Sequence, residues 1–124
     1  MHISRQEFEA AVEGAIEMIP EMFRAQLNNM TIAVEDRPSQ DLLQEMDMPP
    51  GETLFGVFTG VPLPERSVTE PPIYPDVILI FREPLMAACH SIGELEEEIA
   101  ITVFHEVAHY LGLDEERLEE LGYG

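Results

Sequence analysis

His105, Glu106 and His109 stand in the run His-Glu-Val-Ala-His, two imidazoles four residues apart with a carboxylate directly after the first. Residues four apart on an α-helix share a face, so both rings can be offered to one metal ion, with Glu106 beside them. This set suits hydrolysis. Imidazole ligands leave a metal position open for water, and a neighbouring carboxylate can take that water's proton during attack on a carbonyl, then return it to the leaving amine.

A catalytic metal of this kind needs a third protein ligand. The tenth residue after His105 is Glu115, the offset of the last ligand in the long pattern H-E-x-x-H-x-x-G-x-x-H. Gly112, between them, can take the left-handed conformation that ends a helix and turns the chain back. Asp114 is the alternative third ligand, but as N-cap of a following helix it would have its carboxylate engaged. Glu116 and Glu119 read as solvated, and His90 as a helix-terminal histidine. The expected site is therefore a single zinc ion (Zn2+) on His105, His109 and Glu115, with Glu106 as general base.

The element that must carry these residues is a helix over about 91–111. Ser91 with Glu94 three residues on forms a capping-box pattern, and Gly112 supplies the stop. Ile99, Ala100, Ile101, Val103, Phe104, Val107, Ala108 and Leu111 make the helix apolar almost all round, which predicts a buried helix. Thr102, His105, Glu106 and His109 form its one polar stripe, and polar groups taken out of water must be paired or metal-bound.

The remaining elements read as its housing. Ser4 and Glu7 open a first helix with Phe8, Val12, Ala15 and Ile19 inward, while Glu9, Glu13, Glu17 and Glu21 mark a solvated face. Pro20 to Leu27 reads as a second helical segment, Met30–Glu35 as a strand, and Ser39 as the cap of a short helix through Met46. Leu54–Thr59 is a second strand, with Gly56 marking a bend or a close approach. Five prolines between Val61 and Pro75 stiffen a long loop, a candidate wall of the substrate cleft. Val77-Ile78-Leu79-Ile80-Phe81 is the candidate central strand, buried on both faces. Pro84 starts a short helix, and Asp114 caps a last one from Glu115 to Leu121. The fold class is α+β, a short mixed sheet packed with helices, and 124 residues suit one domain over 1–124.

A net charge of −19 would be repelled by nucleic-acid phosphates and by anionic lipid, so neither is an expected partner. The lone Cys89 excludes an internal disulfide framework and sits in an apolar setting that suits packing. No apolar run approaches the roughly 18 residues of a membrane span. With no apolar signal core near the N-terminus, the expected location is cytoplasmic.

The chain resembles the small bacterial zincin-like metallopeptidase family, also known as minimal-metalloprotease-like domains. The resemblance covers most of the chain. It rests chiefly on His105-Glu106-Val107-Ala108-His109-Tyr110-Leu111-Gly112-Leu113-Asp114-Glu115-Glu116-Arg117-Leu118-Glu119-Glu120-Leu121-Gly122, supported by Gly60-Val61-Pro62-Leu63, Glu65-Arg66-Ser67 and Phe81-Arg82-Glu83-Pro84-Leu85. It implies a compact zincin-like α+β fold with zinc on the His-Glu-Val-Ala-His helix and peptidase activity. The family often carries Asp where this chain has Glu115. The expected substrate is a peptide or unfolded protein. The alternative from another class is a metal-binding or vestigial zincin module that binds a partner without cutting it.

Overall fold

The computed structural model describes residues 3–27, 30–49, 51–59 and 76–120. In chain order these form α1 (Arg5–Glu17), α2 (Glu21–Arg24), β1 (Met30–Glu35), α3 (Gln40–Glu45), β2 (Gly56–Thr59), β3 (Asp76–Phe81), α4 (Arg82–Ala88), α5 (Ile92–Leu111) and α6 (Glu115–Glu120). The proline-rich stretch between Val61 and Pro75, expected as a cleft wall, lies outside the described residues, as do Leu121–Gly124.

Side-chain caps fix where the helices begin. Ser4 Oγ accepts from the Glu7 N–H at 3.1 Å, and the Glu7 carboxylate accepts from the Ser4 N–H, a complete capping box. Ser39 and Ser91 cap α3 and α5 in the same way, each accepting from the N–H three residues on at 3.1 Å. The second helical segment shrinks to the single turn Glu21–Arg24. α4 begins two residues before Pro84, directly from the end of β3. Pro84 sits in its first turn, where a missing N–H leaves no helical bond unmade.

The sheet is three-stranded and mixed, in the order β1-β3-β2. β3 pairs in parallel with β1, Met30 opposite Asp76 through Glu35 opposite Phe81, and antiparallel with β2, Gly56 opposite Ile80 through Thr59 opposite Val77. β2 starts at Gly56 instead of Leu54, although the Phe81 N–H still donates to the Phe55 carbonyl at 2.9 Å. The central place of β3 follows from its composition: a strand flanked on both edges and covered by helices leaves little room for polar side chains, and Ile78 and Ile80 are fully buried.

α5 lies across this sheet, with α1 packed along it. Leu95, Ile99, Val103 and Val107 of α5 join Phe8 and Val12 of α1, Ile78 and Ile80 of β3 and Leu85 of α4 in the core. Each such side chain contributes about 1.5–3 kcal/mol by leaving water. The expectation that α5 is buried all round needs correction. Ile101 is 55% exposed, and Glu96 and Glu97 near the start of the helix face solvent. One side of the helix faces a cleft, and apolar composition alone does not reveal which residues a neighbouring element fails to cover.

A second junction ties the elements together away from that cleft. Asp36, just beyond β1, accepts from Arg82 Nε at 3.2 Å and from Arg5 Nη1 at 3.4 Å. Arg82 also donates to the Ile3 carbonyl, Arg5 to the Val34 carbonyl, and the Glu83 N–H to the Asp36 carbonyl. The N-terminal segment, β1 and α4 therefore meet on one carboxylate and two guanidinium groups. No described helix is long and apolar enough to cross a membrane.

Candidate functional site

The polar stripe of α5 emerges at the cleft in graded fashion: Thr102 and Glu106 are buried, His105 is half-buried and His109 is exposed. The two imidazoles lie on successive turns, ring centroids 4.5 Å apart and steeply inclined to each other. Glu106 Oε1 lies 3.3 Å from His109 Nδ1, while Oε2 is buried with no hydrogen-bond partner among the described residues. Burial pushes the Glu106 carboxyl above its ordinary value, against the opposing pull of His109 and His105. A half-satisfied carboxylate beneath two imidazoles is costly to maintain by packing alone.

Gly56 lets the sheet approach this point. A Cβ there would come within 2.9 Å of Thr102 Cγ2 and 3.3 Å of Glu106 Cγ, with the Leu79 carbonyl oxygen at 3.2 Å. Gly56 is thus the close approach that its place in the strand suggested. The absence of a side chain brings the start of β2 against the turn of α5 that carries the carboxylate.

The cleft between these elements has a volume of about 340 Å³. His105, Glu106 and His109 form one end of it, and Met46, Leu54, Phe55 and Ile101 contribute an apolar wall, with Glu98 at the rim. The motif does not include these wall residues. Glu98 and Ile101 were accessible to helical spacing, lying seven and four residues before His105 on the same face. Met46 and Leu54 reach the cleft only through long-range packing, for which no local signal exists.

The α5 stop is a Schellman turn. Gly112 has φ +75°, its N–H donates to the His109 carbonyl at 3.2 Å, and the Leu113 N–H donates to the Ala108 carbonyl at 2.9 Å. Asp114 then caps α6, its Oδ1 accepting from the Arg117 N–H at 2.8 Å. One oxygen of the alternative third ligand is therefore engaged by a helix end. The Glu115 side chain lies outside the described residues. Glu116 and Glu119 are exposed. Among the described residues no three donor side chains converge to hold a metal.

Three further residues fall away from the chemistry. His90 precedes the start of α5, about 20 Å along the helix axis from His105 at about 1.5 Å per residue. Tyr110 is buried, with its ring edge-on to Phe58 at 5.6 Å. Cys89 is buried, and that burial, with the charges of Glu94 and Glu98, raises its thiol and keeps it from the reactive thiolate form.

The pair of imidazoles, the buried carboxylate and the left-handed glycine turn define a zincin-type helix. Residues 27–124 match the model of the zincin-like metallopeptidase family, and the chain belongs to that family. A search of curated proteins gave no match. Among solved structures the chain is similar to a conserved hypothetical protein of T. thermophilus. The two share 20% identity and a TM-score of 0.59, over 96% of this chain and 97% of the other. That likeness concerns the fold.

Proposed function

We propose that the chain is a zinc-dependent peptidase in which His105, His109 and Glu115 hold one zinc ion and Glu106 is the general base. The observation that carries this reading is the Glu106 carboxylate, buried at the cleft end with Oε2 unpartnered among the described residues and both imidazoles beside it. The donor set fits the metal: two imidazole nitrogens on one helix face, with a carboxylate at the i+10 offset for the third position. Bound zinc would lower the pKa of water to about 7 and polarise the peptide carbonyl.

The chain's own groups divide the remaining work. His109 directs Nδ1 towards Glu106, which leaves its Nε2 as the nitrogen for a metal and sets the tautomer. Glu106 takes the proton of the attacking water on its carboxylate, which lines the cleft beside both imidazoles. It then delivers that proton to the leaving nitrogen, a role that its raised affinity for protons favours. β2 forms an edge of the described sheet beside the cleft, so an extended peptide can pair with its backbone. A cleft of about 340 Å³ admits a few side chains and excludes a folded domain, which favours peptides or unfolded protein as substrate.

Elemental analysis of protein prepared without chelator should find about one zinc per chain. A peptide library should be cut by the wild type and not by Glu106→Gln; equal cleavage by both would mean a contaminant. A chain that stays folded, binds no zinc and cuts nothing would instead support the interaction-module alternative.

A further inference from the structure

The cleft has an order along α5 that the hydrolytic chemistry does not require. From His105 towards the helix N-terminus, Ile101 follows after four residues and Glu98 after seven. At about 1.5 Å per residue these lie about 6 Å and about 10 Å along the axis. Ile101 is 55% exposed and Met46 is 47% exposed, two large apolar side chains left uncovered on the same cleft. With Leu54 they form an apolar wall between the catalytic end and a carboxylate, and no lysine or arginine is among the described residues that line the cleft. An extended peptide advances about 3.3 Å per residue and turns alternate side chains to the same face, so two side chains that both face this wall, one at Ile101 and one at Glu98, are two residues apart. The chain as a whole carries a net charge of −19, which attracts cationic ligands and repels acidic ones.

We propose that this cleft selects extended peptides with a bulky apolar side chain near the bond to be cut and an arginine or lysine beyond it. The apolar side chain seats between Met46, Leu54 and Ile101, and the cation meets the Glu98 carboxylate. The inference rests on the peptidase reading of the same cleft and adds its selectivity. Apolar burial supplies most of the discrimination, and the partly exposed carboxylate adds a smaller, salt-sensitive part.

The test uses the Glu106→Gln chain, its zinc content measured, and three synthetic octapeptides with Leu-Ala-Arg, Asp-Ala-Arg or Leu-Ala-Glu at the centre. Binding is followed by NMR titration. Leu-Ala-Arg should bind best, Asp-Ala-Arg about tenfold or more weakly, and Leu-Ala-Glu a few-fold more weakly, with this last gap closing at high salt. Ile101→Asp should erase the preference for Leu over Asp with zinc content and folding unchanged. Glu98→Lys should reverse the preference for Arg over Glu. Equal binding of the three peptides, no binding of any, or an order untouched by both substitutions would overturn the proposal. Cleavage by the wild type is scored separately. Unselective cleavage would sink this inference and leave the peptidase reading standing, whereas selective binding without cleavage by the zinc-loaded wild type would do the reverse.

Discussion

Two carboxylates organise this molecule, and they are treated in opposite ways. Asp36 is about half exposed and is met by two guanidinium groups, which join the N-terminal segment, β1 and α4. Glu106 is almost fully buried, yet has one imidazole at 3.3 Å and an oxygen with no partner among the described residues. A carboxylate whose role is to hold elements together gains from having its lone pairs filled. One proposed to move a proton gains from a site dry enough to raise its proton affinity. The chain meets the cost of the second arrangement with the packed face of α5, whose Leu95, Ile99, Val103 and Val107 are buried in the core.

The contrast can be broken first at Glu106. Glu106→Gln keeps the shape and removes the proposed base, so peptide cleavage should fall by about 10²–10⁴-fold, with thermal stability and zinc content close to wild type. An unchanged rate would remove Glu106 from the chemistry. Gly56→Val tests the same place from the sheet side. Its Cβ would meet Thr102 Cγ2 at 2.9 Å and the Leu79 carbonyl at 3.2 Å. Forcing β2 from α5 should cost about 1–3 kcal/mol in denaturant unfolding and lower cleavage beyond what the stability loss explains. Full activity with full stability would show that the close approach is incidental.

At the other carboxylate the effect is on stability alone. Arg82→Ala removes the Nε bond to Asp36 and the bond to the Ile3 carbonyl and should destabilise the fold by about 1–2 kcal/mol, without altering zinc content. A loss of zinc in a folded Arg82→Ala chain would mean that the two regions are coupled.

The smallest effect concerns pH. Burial raises the Glu106 carboxyl in the fold above its unfolded value of about 4.3. The neutral form is then the one that the fold prefers. Its contribution is complete below about pH 4.3 and is lost as pH rises through the raised folded value. The stability of chelator-treated wild type relative to Glu106→Gln should therefore decline with rising pH in that window. A flat difference would show that the carboxylate is better solvated than its burial indicates.

Much of the local structure was legible because its causes are local. Ser4, Ser39, Ser91 and Asp114 are caps by virtue of their own side chains, Gly112 is a stop because of its backbone freedom, and Val77–Phe81 is central because no polar residue interrupts it. The joint of Arg5, Arg82 and Asp36 gave no such signal, since its two arginines are 31 and 46 residues from Asp36 along the chain. Charged residues at that separation look like any solvated surface until the fold brings them together. The uniform apolarity of α5 likewise predicted burial at Ile101, which the cleft leaves exposed.

The sequence by itself determined the chemistry on offer: the spacing of His105, Glu106 and His109 on one helix, the helix that carries them and the turn that ends it. These follow from a periodicity of about 3.6 residues and from side-chain preferences acting over a few positions. Only the tertiary structure decided which of those groups lose water. It buried Glu106, left His109 open, set Gly56 against both Thr102 and Glu106, and placed Met46 and Leu54 on the same cleft as Ile101. Desolvation depends on what distant segments cover, and it makes Glu106 more than a helix-surface glutamate.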